Sequence, residues 1–262
     1  MFNKKTIRAL GIALLFIALF SIGGCSDREK ITELSQLDGK VFAVPTGTVA
    51  DQLVISRFPN ATFQYYNSVV DACLAVQSGK ADAAAYDEPI LKNIAAKNEG
   101  LTVLPDLLTT DDYAFAVQLG NEELKAAIDD VVVELKNNGT YDEMLKRWLP
   151  EEGTPAAMPD IVLTGDKGVL KFGTAAVTEP FSFVDGSQEV VGFDIELATY
   201  VAQKLDMQLE VVNMDFGAMM PALASGKVDM IGACFTVTEE RAKSVLFSEP
   251  YYTGGIAALV SE

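Results

Sequence analysis

The sequence contains no histidine among its 262 residues. Histidine is the side chain that most often serves as a general base near neutral pH, as a zinc ligand, and as the partner of a serine or cysteine nucleophile. Its absence excludes the commonest arrangements for hydrolytic and zinc-dependent catalysis.

Positive charge is also scarce, because 20 lysines and arginines stand against 37 acids and give a formal net charge of −17. Proteins that bind nucleic acid present a basic surface, so no nucleic-acid partner is expected. The three cysteines, Cys25, Cys73 and Cys234, are too scattered for a metal cluster or a disulfide framework. Cys73 and Cys234 are expected to be thiols in small apolar positions.

Residues 1–24 have the pattern of a targeting segment, with the positive start "MFNKK", the apolar run "ALGIALLFIALF" and the small residues "SIGG" before Cys25. The pattern resembles a bacterial lipoprotein signal peptide, in which Cys25 becomes the lipidated first residue. An ordinary secretory signal with a chance cysteine is the alternative. Residues 25–35 would form a polar tether. The predicted location is the cell envelope outside the cytoplasmic membrane, periplasmic or on a Gram-positive surface, with the membrane reached through the lipid anchor only.

Beyond the tether, short β-like runs alternate with helical stretches, which is typical of βαβ units and parallel sheets. Helices are predicted around 49–57, 68–77 and 88–97, and one strand is predicted at "DYAFAVQ", residues 112–118. The alternation stops at a Pro- and Gly-rich stretch, 150–166, and then restarts. Each half contains Ser-Gly-Lys-x-Asp, a pattern that predicts the end of a helix at its glycine and a buried strand after its aspartate. The sequence thus predicts two α/β lobes, each a mostly parallel sheet flanked by helices.

Several longer segments resemble the family 3 extracellular solute-binding proteins, the receptors of ABC importers for polar amino acids. They include "EPFSFVDGSQEVVGFDIELATYVAQKL", "MDFGAMMPALASGKVDMI", "FTVTEERAKSVLFSEPYY" and "GTYDEMLKRWL". The resemblance implies a periplasmic-binding-protein-like, or Venus-flytrap, fold whose two lobes close on a free amino acid. It also implies a monomer that is not an enzyme, with no catalytic residue, no metal and no cofactor. This monomer would deliver the amino acid to the permease subunits of an ABC importer.

The order of these segments differs from the order in the family. Family members begin with the "EPF…GFD" lobe, cross to the second lobe after "YYTGG", and return to end with the "GTYDEMLKRW" helix, whereas here the second lobe comes first. The order indicates a circular permutation with a single remaining crossing near 109–113. A fragment cut from a tandem array is the alternative. The predicted segments are the second lobe at 36–110, the hinge crossing and closing helices of the first lobe at 111–149, the permutation linker at 150–166 and the first lobe at 167–262.

The resemblance implies a site whose charges match those of a free amino acid. Arg241, in "TVTEER", would hold the ligand carboxylate bidentately, and Asp87, at the end of the strand "ADAAAYD", would hold the ammonium group. Thr236 adds a hydroxyl and an amide, and the backbone carbonyl of Cys234 would accept from the ammonium. A surface arginine and a helix N-cap are the alternative roles of Arg241 and Asp87.

Further residues are expected at the cleft. Backbone N–H groups of Gly47, Thr48 and Val49 would face the ligand carboxylate, and Thr48 could also cap the helix that follows. Phe216, in "MDFGAM", matches the family's aromatic residue that packs on the ligand side chain. Tyr86, next to the predicted acid, would supply a second ring.

Two positions depart from the family pattern. Ala175 stands where many members carry an acid, and Thr178 stands where they carry a ligand-covering aromatic ring, so a ligand with a neutral side chain is favoured. The alternative functions are a cyclohexadienyl-type dehydratase on the same scaffold and an extracytoplasmic sensor module. The dehydratase would need a general acid in the cleft, for which Glu179 is the one loose candidate.

Overall fold

The structure is a computed structural model that describes residues 30–150 and 156–262. The predicted signal peptide and Cys25 lie outside the described residues. Residues 31–262 form one compact unit. Within the described residues no helix is both long enough and apolar enough to cross a bilayer.

The helices and strands alternate along the chain as the sequence predicts. In chain order they are β1 (Val41–Pro45), α1 (Val49–Arg57), β2 (Thr62–Tyr66), α2 (Val69–Gln77), β3 (Ala83–Asp87), α3 (Glu88–Lys97), β4 (Leu101–Val103), β5 (Asp111–Tyr113), β6 (Ala116–Gln118), α4 (Glu122–Asn138), α5 (Thr140–Trp148), β7 (Val169–Thr174), β8 (Val177–Thr178), β9 (Ser182–Val184), β10 (Val190–Val191), α6 (Phe193–Leu205), β11 (Gln208–Asn213), α7 (Met219–Ala224), β12 (Met230–Ile231), α8 (Glu239–Ala242), β13 (Val245–Phe247), β14 (Tyr252–Gly254) and β15 (Ile256–Ser261). Two short 3₁₀ turns, Leu34–Leu37 and Phe216–Ala218, precede β1 and α7.

Two five-stranded sheets form the centres of two lobes. The sheet of the second lobe has the order β2-β1-β3-β15-β4, and the sheet of the first lobe has the order β11-β7-β12-β6-β13. In each sheet the first three strands are parallel and the fourth, β15 or β6, runs antiparallel to its neighbours. The predicted two-lobed α/β fold is confirmed, and the two lobes share one strand order.

The repeated Ser-Gly-Lys-x-Asp motif performs the same structural task in both lobes. Its glycines, Gly79 and Gly226, adopt positive φ angles of 71° and 70° at the ends of α2 and α7, a conformation that glycine adopts without strain. Its aspartates each accept a hydrogen bond from the neighbouring parallel strand: Asp82 Oδ2 from the N–H of Val41 on β1 at 2.9 Å, and Asp229 Oδ2 from the N–H of Lys171 on β7 at 2.8 Å. The motif therefore ends a helix and ties β3 to β1 in one lobe and β12 to β7 in the other.

The last strand corrects the predicted lobe boundary. β15 lies between β3 and β4 in the second lobe, so 167–262 does not belong wholly to the first lobe. Its residues Ile256–Val260 are all buried, and a run of five buried apolar residues needs packing on both faces of a sheet. The other predicted boundaries stay predictions.

In the part of the chain that the structure describes, the backbone consequently crosses between the lobes twice, not once as the permuted order predicted. The two crossings are β5 and β14, which pair antiparallel with Tyr113 opposite Tyr252 and Asp111 opposite Gly254. A Cβ atom on Gly254 would lie 2.7 Å from Tyr113 Oη, and one on Gly255 would overlap the carbonyl oxygen of Thr109. Glycine is thus required for the close approach of the two crossing strands.

The closing helix α5 is fixed to the first lobe by one buried acid. Glu196, on α6, has a side chain that is 0% exposed, and it accepts hydrogen bonds from Arg147 Nη1 at 2.7 Å and from Trp148 Nε1 at 2.6 Å. Both donors lie in the last turn of α5. Since an unpaired buried carboxylate is strongly unfavourable, these donors fix the position of α5 on α6.

Candidate functional site

Asp87 and Arg241 reach one small cavity from opposite lobes. The second lobe also contributes Thr48, Val49 and Tyr86, and the first lobe contributes Phe216, Cys234 and Thr236. The space between them is about 10 Å³, close to the room that one water molecule needs. The structure therefore brings most of the predicted site residues together, in an arrangement with the lobes close to each other.

Asp87 is the last residue of β3 and precedes α3, but its side chain makes no capping hydrogen bond to that helix. It accepts a hydrogen bond at 2.5 Å from the hydroxyl of Tyr113, on the hinge strand β5. The residue is only 5% exposed, and burial raises its pKa to about 7, although the bond from Tyr113 acts in the opposite direction. Within the described residues no lysine or arginine forms an ion pair with Asp87. A buried carboxylate in this position is suited to a cationic partner.

Arg241 is held in place by its own helix and by two aromatic rings. Its backbone N–H donates to the hydroxyl oxygen of Thr238, the N-cap of α8. The guanidinium carbon lies 4.2 Å from the ring centroid of Phe235 and 5.5 Å from that of Phe216, and Nη1 donates to the Thr236 carbonyl at 2.9 Å. Burial lowers the pKa of Arg241. A guanidinium has five N–H donors, so this fixed side chain retains donors for a carboxylate.

Cys234 is shaped by a buried acid that the sequence analysis did not single out. It has a positive φ of 50°, and its N–H donates to Asp194 Oδ2 at 3.1 Å. Asp194, in the "GFD" segment at the start of α6, is 0% exposed, and burial raises its pKa to about 7. Burial also raises the pKa of the Cys234 thiol. Cys73 and Cys234 are both free and buried, as predicted.

The turn before α1 differs from the prediction at Gly47. Its N–H donates to Asp51 Oδ2 at 3.1 Å, and Gly47 does not line the cavity. Asp51, in the first turn of α1, thus accepts the hydrogen bond of the N–H group that was expected to face a ligand. Thr48 does line the cavity, but it does not cap α1, because its hydroxyl donates to the Pro45 carbonyl at 2.9 Å.

A larger cavity of about 560 Å³ adjoins the first one and shares Thr48, Tyr86 and Phe216 with it. Thr178 lines this second cavity and not the first. Its hydroxyl donates to the carbonyl of Ala175 at 3.2 Å. A third groove, of about 590 Å³ along α2, contains none of the predicted site residues.

Glu179, the candidate general acid of the alternative enzyme, lines neither adjoining cavity. It forms an ion pair at 2.5 Å with Lys97, at the end of α3 in the second lobe. The two lobes therefore touch through this pair. Among the described residues no group of three or more cysteines and acids is placed to hold a metal ion.

The structure has two α/β lobes joined by a double crossing. An acid from one lobe and an arginine from the other lie at a shared cavity. These features define a two-lobed solute-binding fold. Residues 170–262 match the bacterial extracellular solute-binding proteins, family 3. This part of the chain belongs to that family.

Relatives match parts of the chain. The arginine-binding extracellular protein ArtP of Bacillus subtilis (strain 168) is 44% identical over 87 residues, 33% of this chain and 34% of ArtP. A putative ABC transporter arginine-binding protein 2 of Escherichia coli (strain K12) is 35% identical over 124 residues, 45% of this chain and 51% of that protein. The arginine-bound structure of domain 1 from TmArgBP is 39% identical, covers 37% of this chain and 82% of that one, and has a TM-score of 0.33. The chain thus spans between about a third and a half of the curated relatives' length.

The raised pKa of Asp87 predicts a pH dependence of stability in the ligand-free protein. Between pH 3.8 and about 7 the folded protein keeps a proton on Asp87 that the unfolded chain releases. Raising the pH through this window therefore removes up to about 4 kcal/mol of the free energy of unfolding, and Asp87→Asn lacks this loss. Denaturant unfolding of both proteins at a series of pH values should show the variant gaining stability relative to the parent as the pH rises. Asp106→Asn, at an exposed position, is the control, and parallel profiles for the parent and Asp87→Asn would contradict the prediction.

Proposed function

We propose that the protein binds one free amino acid between its lobes and presents it to the permease subunits of an ABC importer, as a monomeric receptor attached to the membrane by a lipid. The observation that carries this proposal is the convergence of Asp87 and Arg241, from opposite lobes, on one cavity. A free amino acid at neutral pH has one ammonium and one carboxylate. Burying either group without a partner would cost several kcal/mol.

The arrangement offers each ligand group its own partner. The guanidinium of Arg241, already oriented by Phe235 and by the Thr236 carbonyl, has donors for the carboxylate. The buried carboxylate of Asp87 would accept from the ammonium, whose charge would favour the ionised acid. Since these groups belong to different lobes, a ligand that contacts both stabilises the closed arrangement, and the hinge β5–β14 allows the lobes to separate for entry.

The names of the relatives support a receptor over an enzyme. ArtP and the Escherichia coli protein are named as arginine-binding proteins, and GlnH of Bacillus subtilis (strain 168), 30% identical over 113 residues, is named as a glutamine-binding protein. An ancestral cyclohexadienyl dehydratase is also similar, at 35% identity over 30% of this chain. The position of Glu179 in an ion pair with Lys97, outside both adjoining cavities, favours the receptor.

Binding should require both charged residues. A thermal-shift screen of the purified protein against the twenty amino acids would identify ligands, and calorimetry would then measure the Kd of the parent and of each variant. Arg241→Ala and Asp87→Ala should each weaken binding by at least about 30-fold, because truncating one partner of a buried charged contact costs about 2–5 kcal/mol. Lys243→Ala, two residues beyond Arg241 and at an exposed position, is the matched control and should bind like the parent.

Two results would reject this site. One is near-parental affinity in Arg241→Ala or in Asp87→Ala, with the variant folded by circular dichroism. The other is an equal loss of affinity in Lys243→Ala, which would indicate a general effect of charge at the surface.

The lipid anchor is proposed from the "SIGGC" segment. In cells that process the signal, the parent protein should sediment with membranes and Cys25→Ala should not. One acyl chain gives only marginal anchoring, so the mature cysteine should carry more than one chain. Intact-mass analysis of the mature N-terminus checks this, and an unmodified Cys25 in the parent would rule the anchor out.

A circular permutation is proposed for the unusual segment order, and the sheet registers support it. Val260 on β15 pairs with Ala83 on β3, and Ala83 pairs with Phe42 on β1. The end of β15 and the start of β1 thus lie at the same end of the strands of one sheet, about 10 Å apart because β3 separates them. The 11 residues from Ile31 to Val41 provide ample chain to connect these ends. In the family order β15 would lead into β1.

The permutation can be tested by restoring the family order. A reordered chain, 167–262 followed directly by 31–150, should fold, unfold cooperatively and bind the same amino acid with a Kd within about threefold of the parent, because every strand keeps its sheet neighbours. A version of the reordered chain with Arg241→Ala is the control for specific binding. An aggregated or unfolded reordered chain would count against the permutation and in favour of the tandem-array fragment.

A further inference from the structure

The cavity next to Asp87 and Arg241 is the space in which the side chain of an amino-acid ligand would lie. This step rests on the proposed function, which assigns the α-ammonium and α-carboxylate groups to those two residues. The larger cavity of about 560 Å³ begins at Thr48, Tyr86 and Phe216, which also line the smaller one. The chemistry of its wall therefore decides which side chain is accepted.

Most of the polar side chains on this wall already have partners within the protein. The Thr178 hydroxyl donates to the Ala175 carbonyl, and the Ser68 hydroxyl donates to Asp71 Oδ2 at 2.8 Å. Asn213 Oδ1 accepts from the N–H of Ala176 at 3.0 Å. These groups fix the wall in place and are less available to a ligand.

Three polar side chains on the wall have no such partner among the described residues: the neutral hydroxyl of Tyr86, the carboxylate of Asp215 and the amide of Asn67. Within the described residues neither the carboxylate of Asp215 nor the amide of Asn67 takes part in a hydrogen bond or ion pair, and both residues are exposed. Asp215 lies two residues beyond the end of β11, and Asn67 directly follows β2. β2 and β11 occupy the same edge position in their respective sheets. Ligands of open α/β sheets bind at the carboxyl ends of the strands, so both side chains stand where a ligand would meet them.

Asp215 is also the one charged residue among the described residues that line this cavity. A cationic side chain that enters it would meet a carboxylate from the first lobe and an amide oxygen from the second. A guanidinium would suit this pair well, because its planar fork donates two parallel hydrogen bonds to a carboxylate and has further N–H groups for another acceptor. A carboxylate-bearing side chain would instead be repelled by Asp215.

We infer that the ligand is a cationic α-amino acid whose side-chain charge is held by Asp215, with Asn67 as the second acceptor. This replaces the expectation of a neutral side chain, which rested on the missing acid at Ala175. The negative charge that would balance the ligand side chain is provided after a different strand from the one that the family pattern suggests. Asp215 follows β11, whereas Ala175 follows β7. The closed lobes place both acceptors on the wall of one cavity.

Arginine and citrulline provide the test, because they share length and shape and differ in that citrulline has a neutral urea group in place of the guanidinium. The parent should bind arginine at least about tenfold more tightly than citrulline, as expected for a hydrogen bond to a charged group. Asp215→Asn should weaken arginine binding by about tenfold or more and change citrulline binding by less than about threefold. Asn67→Ala should weaken arginine binding by a smaller factor. Asp106→Asn, the exposed control, should leave both affinities unchanged.

The outcomes separate this inference from the proposed function. Equal affinities of the parent for arginine and citrulline, or equal losses of both in Asp215→Asn, would overturn the role of Asp215. Binding of a neutral amino acid alone, with Arg241→Ala abolishing it, would overturn the inference and leave the proposed function standing. Absence of binding to any amino acid in the screen would overturn both.

Discussion

Each lobe depends on a strand that reaches it through the hinge. β6 enters the first lobe from β5, and β15 enters the second lobe from β14, and each becomes the antiparallel fourth strand of its sheet. Separating β5 from its lobe would pull β6 out of the first sheet, and separating β14 would pull β15 out of the second. Either change would expose buried residues of the neighbouring strands. The pairing of β5 with β14 is therefore fixed by two sheets, and the position of the site follows from it. Asp87 pairs with Ile256 at the start of β15.

Asp87 connects this hinge to the chemistry of the cavity. Its hydrogen-bond donor, Tyr113, is buried on β5, and the Tyr113 ring stacks on Tyr252 of β14 with centroids 5.6 Å apart. The backbone of Tyr113 also bridges to Thr236, whose carbonyl holds Arg241. One tyrosine thus contacts the acid of the second lobe, the other crossing strand and the segment that orients the arginine of the first lobe. The ionisation state of Asp87 is thus coupled directly to a residue of the hinge.

The sequence predicts the long elements well and the short ones badly. The predicted helix at 49–57 is found with those bounds, because a glycine-containing turn precedes it and Pro59 follows it. The single strand expected at 112–118 is divided between the hinge and the first lobe, since strands of three residues carry no measurable periodicity. The position of Arg241 at the cavity could be predicted from its motif. The contact between Asp87 and Tyr113 could not, because it joins distant positions through tertiary packing. The prediction for Gly47 was wrong because its N–H donates a hydrogen bond to the side chain of Asp51.

Two crossings join the lobes, so both sheets are connected through the hinge by β5 and by β14. β15 stops and β1 starts at the same end of the strands of the second-lobe sheet, away from β5 and β14. On the first lobe, the stretch before β7 is bonded to the lobe's own elements, with Ala156 N–H donating to the Arg147 carbonyl. Both lobes therefore keep the neighbours that place β3 and α8. The acid and the arginine of the site depend on those neighbours and not on the order in which the chain visits them.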